Sequence, residues 1–160
     1  MKPLADTVGQ RLYWVQPKTF SRQFELRDEA GDLVATLRFE KALGTLATAE
    51  SAAGTWTFKR TGFLNPQVTV RHAGLEANLA VYQPKIWGNG RLSLADGRTY
   101  HWEAFNFWHT QWGFVAPGGG RVFSLRSGSE SLKLTNLFKT QAIVEVETPD
   151  EPADRLLLVC

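Results

Sequence analysis

The sequence predicts an all-β domain of antiparallel hairpins, a sandwich or a barrel, and three features of it do so. Turn signals recur at short intervals: Asp28-Glu-Ala-Gly31, Ala53-Gly54, Ala73-Gly74, Asp96-Gly97, Pro117-Gly-Gly-Gly120 and Ser127-Gly128. Between these signals apolar residues alternate with polar ones at period two. Before residue 148 no window sustains an apolar stripe at helical spacing, which removes the crossover helices that parallel strands require.

Taken in order, Phe24-Glu-Leu26 and Leu33-Val-Ala35 flank the first turn. Trp56 and Phe58 alternate with Thr55, Thr57 and Lys59, and Val68 and Val70 with Gln67, Thr69 and Arg71. Leu92 and Leu94 alternate with Arg91 and Ser93, Tyr100 and Trp102 with Thr99, His101 and Glu103, and Leu132 and Leu134 with Ser131, Lys133 and Thr135. Each such strand offers one apolar and one wet face. Asp96-Gly97 is the clearest hairpin, because Asp-Gly accepts the positive φ of a type I′ turn. In all, about a dozen short strands are expected between Arg11 and Glu147.

After Glu147 the chain reads Thr148-Pro-Asp-Glu-Pro-Ala-Asp154 and then Arg155-Leu-Leu-Leu-Val-Cys160. Asp150 as N-cap with Pro152 in the first turn predicts a helix from about residue 150. Such a helix would be about 13 Å long and marginal by itself. It must pack on the strands or continue past Cys160, and an apolar run that stops so soon reads as a helix with part missing. The expected organisation is an N-terminal arm over residues 1–10 and a single domain over 11–160.

A chain of 160 residues buries enough surface to fold without disulfides or metals. The six Trp and ten Phe suit strands. A formal charge of +2 is too small for nucleic acid to be the main partner. The one cysteine is the last residue, so no internal disulfide forms, which fits a reducing compartment. Met1 to Gln10 lacks the apolar core of a signal peptide, and the final apolar run of five residues is far short of the roughly 20 that span a bilayer. A cytoplasmic protein, at most peripheral to a membrane, is expected.

Three stretches carry a likeness to a known family. The Phe24-Glu-Leu26 strand with its Asp28-to-Gly31 turn and Leu33-Val-Ala35 return looks like a first hairpin, Gly54-Thr-Trp-Thr-Phe-Lys-Arg-Thr-Gly-Phe63 like a central strand and turn, and Asp96-Gly97-Arg98-x-Tyr100-x-Trp102 like a later hairpin. Together, over about residues 11 to 160, they resemble the tubby C-terminal-like superfamily, which holds the tubby proteins, the plant LURP-one-related proteins and the phospholipid scramblases. The resemblance implies a closed antiparallel barrel of about twelve strands around a hydrophobic C-terminal helix. Leu156, Leu157, Leu158 and Val159 fall where that helix enters the barrel, truncated or short. A plug is physically apt, since barrels of more than about eight strands are too wide for their own side chains to fill. The scramblases' acidic calcium segment has no match here.

No Gly-x-Ser-x-Gly elbow, His-Glu-x-x-His helix or Gly-rich loop followed by Lys occurs, so no catalytic residue, metal or cofactor is expected. His72, His101 and His109 lack metal-ligand spacing. Asp28, Glu29 and Asp32 fit a turn better than a calcium loop, and Gly118-Gly-Gly120 a hairpin better than a phosphate cradle. The candidate site is basic. A hairpin would gather Lys59, Arg60 and Arg71 for anionic headgroups, with Phe63 and Leu64 at its tip among acyl chains. The expected function is therefore peripheral binding of anionic phospholipid, phosphoinositide included. The alternatives are a carrier of small hydrophobic ligands in the lumen, or an interaction scaffold using Phe105, Phe107, Trp108 and Trp112, a run that core packing also explains.

Overall fold

The computed structural model describes residues 1–18, 21–41, 44–128 and 139–148, without the side chains of Trp87, Lys139, Thr140 and Gln141. Twelve strands are present: β1 (Arg11–Gln16), β2 (Gln23–Arg27), β3 (Leu33–Phe39), β4 (Leu46–Ser51), β5 (Gly54–Thr61), β6 (Gln67–His72), β7 (Ala80–Pro84), β8 (Gly90–Leu94), β9 (Thr99–Ala104), β10 (Gln111–Val115), β11 (Arg121–Ser127) and β12 (Lys139–Val146). Each pairs antiparallel with its neighbour in sequence, and β12 pairs with β1 from Arg11↔Glu145 to Gln16↔Lys139, so the sheet is a closed barrel. Closure leaves no edge strand, which removes the usual route to aggregation. The expected closed twelve-stranded barrel is thus present, with turns at Asp28–Gly31, Ala53-Gly54, Ala73-Gly74, Asp96-Gly97 and Pro117–Gly120 as the Gly signals put them, while the connection expected at Ser127-Gly128 runs outside the described residues. The expected strand around Leu132 and Leu134, and the helix carrying Leu156, Leu157, Leu158 and Val159, lie outside the described residues.

Alternation decides what fills the lumen. Leu12 and Trp14, Trp56 and Phe58, Leu92 and Leu94, and Phe114 and Phe123 belong to one buried cluster. Across β7 to β11 the filling is aromatic: Trp102 lies 5.0 Å from Phe114 and stacks on Trp112 at 6.1 Å, and Tyr82 meets Phe114 edge-on at 6.1 Å. On the outer face of β1 and β12, Tyr13, Val15 and Ile143 form a second buried cluster. Outside β10, Gly113 leaves room for the ring of Phe105, which lies 4.3 Å beneath the Arg121 guanidinium.

The first ten residues lie against the barrel end where β1 begins. A 3-10 turn at Leu4–Thr7 buries Leu4 and Thr7. The Lys2 N–H donates to the Leu33 carbonyl at 2.8 Å, and the Gly9 N–H to that of Val146 at 3.1 Å. Lys2 Nζ donates to Asp28 Oδ2 at 2.6 Å, while Asp28 Oδ1 accepts from the N–H groups of Ala30 at 3.0 Å and Asp32 at 2.9 Å. Asp28 therefore ties this segment to the β2–β3 turn.

Burial alone would raise the pKa of Asp28, but the Lys2 ammonium and the two backbone donors outweigh it and hold the carboxyl below its usual range. A native pKa lowered in this way contributes stability that is complete above the unfolded value of about 3.9 and is lost as pH falls through the native value. Asp28→Asn is expected to cost about 2 kcal/mol at neutral pH, and its stability should fall less than that of the native chain between about pH 4 and 2. Urea denaturation at each pH measures both effects. Gly113 and Gly118 give a paired test of packing: a Cβ on Gly113 would strike the Phe123 carbonyl and the Phe105 ring, whereas one on Gly118 meets nothing within 4 Å. Gly113→Ala should destabilise by about 1 to 3 kcal/mol, and Gly118→Ala by far less, in the same denaturation assay.

Candidate functional site at one rim of the barrel

In an up-and-down barrel, successive connections emerge at alternate ends. Those after β2, β4, β6, β8 and β10 share the end that the N-terminal segment packs against; those after β1, β3, β5, β7 and β9 share the other. The five most exposed large apolar side chains among the described residues are Phe63, Leu64, Phe107, Ile86 and Trp108, at 78 to 97%. All five fall at the second end, in the successive connections after β5, β7 and β9. Single exposed apolar residues are ordinary, but a concentration of this size at one end marks an interaction surface.

The backbone at this rim is fixed locally. Gly62, at φ 80°, turns β5 so tightly that a Cβ would run into the Asn65 carbonyl, and this turn presents Phe63 and Leu64 to solvent. Beside it a groove of about 710 Å³ runs between Leu64 and Pro66 on one side and Pro84, Lys85 and Ile86 on the other. Gly88, at φ 84°, lies directly against the Trp112 ring, which joins the connection after β7 to the base of the next. There Asn106 Oδ1 accepts from the Thr110 N–H at 2.9 Å, Asn106 Nδ2 donates to Thr110 Oγ1 at 2.6 Å, and Trp112 Nε1 donates to the His109 carbonyl at 2.8 Å. The Phe107 and Trp108 rings meet edge-on at 5.2 Å. Exposed aromatics held this way lose little entropy when they dock.

Charge is divided between the two ends. Lys59, Arg60 and Lys85 flank the apolar tips, and Lys18, Arg22, Lys41 and Arg91 stand at or beside the same rim. None of these seven forms an ion pair among the described residues, whereas Arg38 there pairs with Glu40 at 3.4 Å. At the opposite end most cations are paired, Lys2 with Asp28, Arg11 with Glu145, Arg71 with Glu76 and Arg98 with Asp96, while Arg121 lies over the Phe105 ring. Acidic residues gather there too, among them Asp6, Glu29, Asp32 and Glu50. Among the described residues, then, one end carries cations without ion pairs and the other an excess of carboxylates, a polarity that steers and orients charged partners.

The residues predicted for the site separate on this frame. Phe63 and Leu64 sit at the tip as expected. Lys59 and Arg60 both reach the rim but, being adjacent on a strand, face opposite ways: Lys59 lies opposite Thr69 on the outer face, and Arg60 opposite Val68 toward the mouth. Arg71 stands opposite Thr57, further toward the other end, where its Nε donates to Asn78 Oδ1 at 2.7 Å and its Nη1 to Glu76 Oε2 at 3.0 Å. Strand parity thus sets Arg60 on the other face from Lys59 and Arg71, and of the two outer cations Arg71 is engaged by Asn78 and Glu76.

The aromatic run also divides, with Phe105 laid over Gly113, Trp112 stacked inward, and Phe107 and Trp108 exposed. Sequence reasoning did not single out Ile86 and Lys85, although an apolar residue inside the short Pro84-to-Gly88 turn was the available signal. The histidines lie apart: His72 beside the Trp56 ring at 5.9 Å, His101 opposite Arg91 on the outer wall, and His109 at the rim. Asp28 is already engaged with Lys2.

No protein-family model matches the chain, and no curated protein matches it. Among solved structures it is similar to the X-ray structure of a protein from Arabidopsis thaliana, AT5G01750, with 13% identity and a TM-score of 0.60 over 97% of this chain and 91% of that one. At that identity the likeness shows a shared fold.

Proposed function

We propose that this protein is a non-enzymatic, tubby- or scramblase-like barrel that docks peripherally on anionic phospholipid surfaces, phosphoinositide-bearing ones included, through the rim formed by the connections after β5, β7 and β9. The observation that carries this reading is that the five most exposed apolar side chains share one barrel end with cations that have no ion-pair partner among the described residues. The tubby C-terminal-like assignment implied by the sequence resemblance belongs to the same proposal, supported by the twelve-stranded closed barrel. No helix among the described residues is long and apolar enough to cross a membrane.

Two weak signals cooperate in this account. Phe63, Leu64, Ile86, Phe107 and Trp108 enter the interface, and each basic residue near an anionic leaflet adds about 1 kcal/mol, screened by salt. Neither signal alone holds a protein on a bilayer, and together they give reversible attachment. A scaffold reading uses the same aromatics, but the unmatched cations around them favour an anionic surface over an apolar protein face.

Co-sedimentation with phosphatidylcholine vesicles, with and without phosphatidylserine or a phosphoinositide, tests the proposal. Binding is expected to require the anionic lipid and to weaken with salt. It should fall about tenfold or more in Phe63→Ala/Trp108→Ala, by the lost burial, and about thirtyfold in Lys59→Ala/Lys85→Ala. Equal binding to neutral vesicles, or binding unchanged in both variants, would overturn it.

A further inference from the structure

At the same rim, between β3 and β6, the described residues leave a space at the mouth of the barrel. A cavity of about 480 Å³ lies there, lined chiefly by Leu37, Phe39, Ala47, Phe58 and Val68, with Arg60 at its edge. Its size is that of a small-molecule site, roughly 300 to 1,000 Å³. The cause is local, since β4 sends only Ala47 and Ala49 inward, while the aromatic rings of β7 to β11 occupy the lumen beyond. Phe39, the last of the inward row on β3, is left 39% exposed.

Arg60 ends the inward row Trp56, Phe58, Arg60 on β5. Its guanidinium stands beside an apolar cavity and has neither an ion pair nor a hydrogen bond among the described residues. An apolar space with one unmatched cation at its mouth suits an amphiphile with one chain and one negative head. A single guanidinium matches a carboxylate through two parallel N–H···O bonds. We infer that this cavity binds a long-chain fatty acid, its carboxylate on Arg60 and its chain against Phe58, Ala47 and Leu37. The site goes beyond membrane docking and stands on different apolar residues from those of the rim.

The experiment is fluorescence titration of the full chain with a dansyl-labelled undecanoic acid, followed by competition with palmitate and with hexadecanol. Saturable binding near one to one is expected, displaced by palmitate at concentrations at least about tenfold lower than by hexadecanol. Arg60→Gln, at an exposed position, should weaken the probe about tenfold and erase the preference for acid over alcohol. Ala47→Phe, which fills the cavity, should abolish probe binding while vesicle co-sedimentation persists, so the pocket and the docking rim are judged separately. The absence of saturable binding, or probe affinity unchanged in a folded Arg60→Gln variant, would overturn the inference.

Discussion

The pairing of β1 with β12 is the constraint on which the rest of the structure depends. Closing twelve antiparallel strands into a ring satisfies every strand on both sides and fixes which residues face inward. It also sorts the connections, so that every second one emerges at the same rim. Residues far apart in sequence, such as Phe63, Ile86 and Trp108, become neighbours at one end because the strands between them run up and down without a crossover. The exposed apolar rim is a consequence of topology, assembled from turns that are individually unremarkable.

The two ends answer different physical demands. At one, the N-terminal segment packs against the strand ends, and buried Asp28 is compensated by Lys2 and two backbone donors. Most cations there have carboxylate partners and the remaining charge is negative, which suits a surface that meets only water. At the other, cations with no ion-pair partner among the described residues stand among apolar side chains that bury almost nothing. Such a rim is costly to leave in solvent unless something covers it. A bilayer interface offers anionic groups and apolar chains at adjacent depths, which is the order in which this rim presents their complements.

Much of the fold was legible because it rests on local chemistry. Gly-bearing turns and period-two alternation located most strands, and Asp96-Gly97 marked its hairpin directly. Closure was not legible, since alternation is the same in a sandwich and a barrel, and the expectation of it came from the family resemblance. The site was legible in part. Phe63 and Leu64 stand out as apolar residues inside a polar turn, but Phe107 and Trp108 read equally well as core until the structure shows Phe105 and Trp112 taking the packed positions. Lys59, Arg60 and Arg71 are close in the hairpin, but two rules legible in the sequence divide them. Adjacent strand residues face opposite ways, and a charge near the far end of the partner strand meets that end's loop, here Glu76 and Asn78.

The central claim is orientation: the barrel meets the membrane with the rim of Phe63 and Trp108 and keeps the N-terminal end in water. Spin labels placed singly at positions 63, 108, 52 and 118, with relaxation by oxygen and by an aqueous nickel chelate measured on anionic vesicles, test it most directly. The account predicts that labels at 63 and 108 gain oxygen contact and lose nickel contact on binding, while those at 52 and 118 keep their solution values. Uniform changes at all four sites, or protection of 52 and 118 in place of 63 and 108, would contradict it.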